Sequence, residues 1–216
     1  MKKILISLSI IAVIAVVSIG ITTAYFTDTE KSENNTMAAG TMDLNIDGGN
    51  TAVQTMSLSN KAPGDIGTED SVLKNVGSLG GELDITIGTV NNLACKDVNP
   101  GDLTEYCDST GTLGANAKMA LYIDVDRDGI YDSGTEMGFK SDGSIYTSGI
   151  LQYDTMDSYS GKGWNNVYSS LMMPTTKDDF VIDWEIPTGA TNEIQGDAVN
   201  FDVTFTLRQE TAPNSN

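Results

Sequence analysis

The chain has 216 residues, with 12 basic against 30 acidic side chains, a formal net charge of −18 and no histidine. That balance repels nucleic acid and anionic lipid and attracts divalent cations. The missing histidine excludes Ser/His/Asp and Cys/His catalysis and the histidine-held zinc sites of ordinary metalloproteases.

Lys2 and Lys3 precede an almost unbroken apolar run over residues 4–19, and Thr22 and Ala24 occupy the small-residue positions of a signal-peptidase site. Cleavage between Ala24 and Tyr25 is the expectation, with residues 1–24 as signal peptide and the rest of the chain secreted. The alternative is a retained anchor, because residues 4–24 are long enough to span a bilayer of about 30 Å as a helix. Cleavage leaves 216 − 24 = 192 residues and, without Lys2 and Lys3, a charge of 10 − 30 = −20. That length suits one domain with a sizeable core.

Residues 25–36 are polar and contain neither glycine nor proline. Nothing in them holds a strand against a core. From Thr41 the pattern becomes period-two: Met42, Leu44 and Ile46 alternate with Asp43, Asn45 and Asp47, which predicts a half-buried strand ended by Gly48-Gly49. Val53, Met56 and Leu58 suggest the next, closed by the turn Asn60-Lys61-Ala62-Pro63-Gly64-Asp65. Val72, Leu73 and Val76 lead through a glycine-rich turn to Leu83, Ile85 and Ile87, read as neighbouring strands. Met119, Leu121 and Ile123 make another period-two run. Val181 to Ile186 and then Val199, Phe201, Val203, Phe205 and Leu207 complete about seven strands. With 22 glycines marking the turns, the expected fold is an all-β, jelly-roll-like β-sandwich over residues 41–209, carrying a short helix or ordered loop insertion. Residues 25–40 form an extended N-terminal segment, and 210–216 a flexible tail.

The insertion falls at residues 154–173, where Tyr159, Trp164 and Tyr168 read as core packing, with an aromatic sugar platform as the rival. Cys95 and Cys107, the only cysteines, are expected to form a disulfide in an oxidising exterior, worth about 3 kcal/mol by the chain-entropy estimate. Two free thiols are the alternative. Asn34 begins the only glycosylation sequon, Asn34-Asn35-Thr36.

Residues 124–136 set carboxylates at alternate positions before a glycine. Calcium takes six to eight hard oxygens, and this spacing lets Asp124, Asp126 and Asp128 converge while Gly129 makes the sharp turn. Ile130 offers its carbonyl, Asp132 a further ligand and Glu136 the closing one. The pattern departs from an EF-hand, since Thr135 stands at the last ligand position and a strand precedes the loop. An Asp/Gly turn with no ion is the rival reading.

Four patches together resemble the TasA/camelysin family of secreted biofilm-fibre subunits and the related archaeal bundling pilins. They are the signal with residues 25–44, the Pro63-Gly64-Asp65 turn, Asn75-Val76-Gly77-Ser78-Leu79, and Gln195-Gly196-Asp197 with residues 201–207. The resemblance implies a jelly-roll subunit of a pilus or biofilm matrix fibre at the cell surface. Such subunits form a head-to-tail homopolymer by donor-strand exchange. The donor would be residues 25–36 (Tyr25, Phe26, Asp28, Glu30, Ser32, Asn34, Thr36), with a hinge over residues 37–40 and with Phe26 and Met37 as anchors. Partners are then other copies, neighbouring filaments or an accessory assembly protein, with no nucleic acid and no membrane except through an uncleaved signal. This reading makes the chain no enzyme. Its rivals are a secreted metal-dependent protease of camelysin type and a monomeric adhesin or carbohydrate-binding domain using Tyr159, Trp164 and Tyr168.

Overall fold

The computed structural model describes residues 40–50, 52–101, 107 and 109–209. The signal peptide, the Ala24/Tyr25 junction, the donor segment with Asn34 and Met37, and the tail 210–216 all lie outside the described residues.

Twelve strands occur among the described residues: β1 (Leu44–Ile46), β2 (Val53–Ser59), β3 (Ile66–Asn75), β4 (Glu82–Ile87), β5 (Asn91–Leu93), β6 (Lys118–Asp124), β7 (Met137–Phe139), β8 (Ile145–Tyr146), β9 (Asp154–Thr155), β10 (Gly163–Trp164), β11 (Lys177–Glu185) and β12 (Ala198–Arg208). One sheet runs β1-β3-β11-β6-β7-β8, with β9 also on β6, and the other runs β10-β4-β12-β2, with β5 also on β12. Two four-strand cores, β3-β11-β6-β7 and β2-β12-β4-β10, stand out. In chain order their strands fall in the two sheets as a jelly roll requires: β11 separates β3 from β6, and β12 separates β2 from β4.

β12 carries the clearest pattern. Val199, Phe201, Val203 and Phe205 turn inward and Asp202 outward, because alternate side chains of a strand face opposite sides. Phe180 of β11 meets Phe205 edge-on across the core at 5.2 Å between ring centroids. β6 departs from simple alternation: Met119, Leu121 and Ile123 face the core, yet Ala120, Tyr122 and Asp124 are buried too. The chain after β6 supplies that outer cover, with Tyr131 edge-on against Tyr122 at 5.6 Å and Tyr146 against Tyr131 at 5.8 Å.

Two expectations need correction. The strands around Val72–Leu73 and Leu83–Ile87 are not neighbours, since β3 pairs with β1 and β11 whereas β4 pairs with β12 and β10. Their glycine-rich link crosses between sheets. Alternation tells which side chains are buried but not which partner a strand takes, so two long strands far along the chain outcompeted the local hairpin. The strand count exceeds seven because β5, β7, β8, β9 and β10 are only two or three residues long, below what periodicity registered. Core packing is found where it was expected in the insertion: Trp164 and Tyr159 are 1% and 0% exposed, with the Trp164 ring tilted against Phe139 at 5.1 Å. The 154–173 region is an ordered loop with one 3-10 turn, Met156–Tyr159, between β9 and β10.

Candidate functional site

Three local constructions bear on function: the acidic loop after β6, the disulfide region, and the entry of the chain into β1. In the loop, Asp124 ends β6 and is only 1% exposed. Its carboxylate accepts hydrogen bonds from the backbone N–H of Arg127 (2.5 Å) and Gly129 (2.8 Å). Gly129 has φ +79°, a left-handed conformation that suits glycine at the tight bend. Asp128 accepts from its own loop at Ile130 N (2.8 Å), and the carboxylates of Asp124, Asp126 and Asp128 lie within 4.8 Å of one another.

Glu136, fully buried one residue before β7, braces the far side of this loop. One of its oxygens accepts from Val125 N (2.9 Å) and the other from Asp132 N (2.8 Å). Burial pushes its carboxyl up to about 7; the two backbone donors pull it down, and the neighbouring Asp124 pushes it up again. Partial desolvation and the charge of Asp128 raise Asp126 as well. The loop is tied to the sheet by the Arg127 Nε–Asp179 Oδ1 ion pair at 2.8 Å and by the Tyr122 hydroxyl donating to the Gly129 carbonyl at 3.2 Å.

Of the six expected ligands, the fold therefore gathers Asp124, Asp126 and Asp128 and sets Glu136 beside Asp124. Ile130 and Asp132 are exposed, and Asp132 stands outside the three-carboxylate group. The three carboxylates suit a hard divalent cation, since they offer oxygen and neither imidazole nor thiolate. In chelator, Glu136 predicts a distinctive pH response. Its folded pKa lies above the ordinary glutamate value, so the native state binds the extra proton and stability falls as pH rises from about 4.5 through 7. Urea denaturation should show that fall, of order 2 kcal/mol, in the wild type and lose most of it in Glu136→Gln. Equal pH slopes in the two proteins would contradict it.

Cys95 and Cys107 are disulfide-bonded, with their Cα atoms 5.0 Å apart. Asp197, 0% exposed, anchors this region: its carboxylate accepts from Cys95 N (2.9 Å), Thr112 N (2.7 Å) and the Thr112 hydroxyl (3.3 Å). Gly196 has φ +81°, and a Cβ there would stand 2.6 Å from Cys95 Sγ. The Gln195-Gly196-Asp197 motif thus seats the disulfide, a role that no spacing rule assigns to it.

The third construction holds the start of the described chain. Thr41 O accepts from Ser78 N (2.8 Å) and Leu79 N (3.0 Å), Asp43 O accepts from Val76 N (2.8 Å), and Thr41 N donates to Ser78 Oγ (2.9 Å). Buried Asn75 shapes the clamp, its Nδ2 donating to Leu79 O and Met172 O and its Oδ1 accepting from Gly77 N. A Cβ on Gly77 would lie 2.4 Å from Thr41 O and 2.7 Å from Asp43 N, both backbone atoms. Gly77→Ala should therefore loosen residues 40–43 and cost about 1–3 kcal/mol in chemical denaturation. A change below about 0.5 kcal/mol would show that the clamp yields freely.

The structure defines a disulfide-bonded jelly-roll domain with an acidic loop and a clamped N-terminal entry. The family model described as camelysin metallo-endopeptidase matches residues 1–105. The match takes in the Asn75-Val76-Gly77-Ser78-Leu79 clamp and ends before the acidic loop. No curated protein matches the chain. Among the described residues no helix is long and apolar enough to cross a membrane.

Proposed function

We propose that the chain is the structural subunit of an extracellular filament, exported by residues 1–24 and polymerising by donor-strand exchange of residues 25–36. The observation that supports this best is the clamp. Thr41 and Asp43 are bonded to residues 76–79, so the described chain begins at a fixed point on the sandwich. An extended segment added to a free sheet edge gains main-chain hydrogen bonds along its length. A head-to-tail contact of this kind uses two different surfaces and propagates instead of closing.

In this reading the acidic loop holds calcium through Asp124, Asp126 and Asp128, with Glu136 beside Asp124. The ion supplies positive charge that relieves the crowding of these carboxylates and stiffens the cover over β6. Calcium at about 100 times its Kd should add about 2.7 kcal/mol, or roughly 5–10 °C in melting temperature for a domain of this size. Identical melting in calcium and in chelator would remove the ion from the account.

The matched family's description favours a second reading, a metallo-endopeptidase. The chain has no histidine with which to hold zinc. The proposal therefore expects no casein hydrolysis by the purified protein. Hydrolysis that disappears in chelator and returns with a divalent cation would establish the enzyme instead.

A further inference from the structure

Three loops meet at one end of the sandwich because their strands do. Ala198, the first residue of β12, pairs with Ser59 at the end of β2 and with Leu93 at the end of β5. The turn after β2, the helical turn Cys95–Val98 after β5 and the loop before β12 are therefore neighbours. Between them opens a cavity of about 450 Å³ whose lining includes Asn60, Lys61, Asn99, Asn192, Ile194 and Gln195. Bonds of the backbone and of buried polar groups hold each wall. Asp65 accepts from Ala62 N (2.8 Å) and Gly64 N donates to Ile186 O (2.8 Å), which ties the first loop to the chain just after β11. Asn99 N donates to Cys95 O (2.6 Å), and Cys95 is fixed in turn by the disulfide. In the third loop Gln195 N donates to Asn192 O (3.0 Å) and Asp197 N to Ile194 O (3.1 Å), while the Asp197 carboxylate accepts from Cys95 N and Thr112 N. The cavity's own amide side chains are spare. Those of Asn60, Asn192 and Gln195 are exposed and make no hydrogen bond among the described residues.

The lining selects the class of ligand. The chain has 30 acidic residues, yet none of them lines this cavity, so a cation finds no counter-charge there. An anion meets one ammonium, that of Lys61, which lies 4.7 Å from the centre of the Trp184 ring, against a net charge of −18 on the whole chain. A purely apolar ligand would desolvate the amides without returning their hydrogen bonds. What remains is a neutral ligand dense in hydroxyls. A side-chain amide carries two N–H donors and a carbonyl acceptor, so one amide can donate to one hydroxyl and accept from its neighbour. Ile194, 1% exposed, supplies an apolar patch for the C–H face of a pyranose ring. The volume falls within the roughly 300–1,000 Å³ of small-ligand sites, which is room for a mono- or disaccharide.

We propose that this cavity binds a neutral sugar unit of a glycan, whose hydroxyls are held by Asn60, Asn192 and Gln195. Tyr159, Trp164 and Tyr168 take no part, since none of them lines it. The binding requires neither polymerisation nor calcium. In the filament proposed above each subunit carries one such cavity, and repetition along the fibre turns weak single-site binding into avid attachment.

The test is saturation-transfer difference NMR on the secreted chain, which reads weak ligands on monomers and filaments alike. The probes are cellotriose, triacetylchitotriose and trigalacturonate. At least one neutral trimer should show transfer, and salt from about 50 to about 500 mM should leave it unchanged, because an uncharged ligand has no long-range interaction to screen. Asn192→Ala with Gln195→Ala removes two of the amides and should weaken that binding about tenfold. Ala62→Trp blocks the cavity from its exposed rim and should abolish the transfer, whereas Ser148→Trp, outside the cavity, should leave it intact. Unchanged urea midpoints check that the variants are folded. Transfer to neither neutral trimer, transfer to trigalacturonate alone, or transfer that survives both the amide and the Ala62→Trp variants overturns the site, and each of these results leaves the filament reading where it stood.

Discussion

Removing residues 25–36 should abolish filament formation while the domain keeps its cooperative unfolding. The buried apolar residues among those described run from Ile46 to Phe205, so the deletion takes nothing from this core. What it removes is the only proposed link between subunits. Ordering an extended segment costs about 1–2 kcal/mol per residue in backbone entropy, and each hydrogen bond returns about 1 kcal/mol net. Main-chain pairing by itself therefore does not hold a donor. The surplus must come from buried side chains, and a phenylalanine contributes about 1.5–3 kcal/mol when fully buried. Phe26→Ala should accordingly raise the critical concentration by about ten- to a hundredfold, in sedimentation of the assembled fraction, with the unfolding midpoint of the monomer unchanged. Filaments of normal length from the truncated chain would remove donor exchange from the account.

The second large effect concerns Asp197. Replacing it by alanine leaves the N–H groups of Cys95 and Thr112 without their acceptor. Each buried, unpaired donor costs about 1–3 kcal/mol, so Asp197→Ala should lose about 3 kcal/mol in urea denaturation under oxidising conditions. Asp197→Asn keeps one acceptor oxygen and should lose roughly half as much. A loss below 0.5 kcal/mol for the alanine variant would mean that water replaces the carboxylate. The disulfide and Asp197 act on one stretch of chain, so the alanine variant should also make the Cys95–Cys107 bond easier to reduce.

Much of the sandwich is legible in the sequence because its strands announce themselves by alternation. In β12, Val199 to Leu207 shows period two, and in β4 Leu83, Ile85 and Ile87 do the same, each 0% exposed. Where the reading falls short, the missing information is long-range. Nothing near Leu83 says that its partner is Leu207, and nothing near Val72 says that it lies opposite Asp179. β6 shows the same limit from another side: Tyr122 is buried because Tyr131 and Tyr146 fold over it, an effect of tertiary contact that periodicity does not record.

The site divides the same way. The alternate spacing of Asp124, Asp126 and Asp128 is local, so the gathering of their carboxylates could be read from the chain. Glu136 stands out there only as the residue one place late for an EF-hand, whereas the fold makes it the buried brace of Val125 and Asp132. Asn75, Arg127 and Asp197 do their work on backbone or side chains distant in sequence: Met172, Asp179, Cys95 and Thr112. Motif spacing could flag Asn75 and Asp197 as parts of a resemblance, but it could not say what they hold.

The most direct test of the central claim is negative-stain electron microscopy of the purified secreted chain, in calcium and in chelator, at concentrations rising through the micromolar range. The account predicts unbranched filaments above a critical concentration, more heat-resistant with calcium than without. Monomers alone under both conditions, at every concentration, would contradict it.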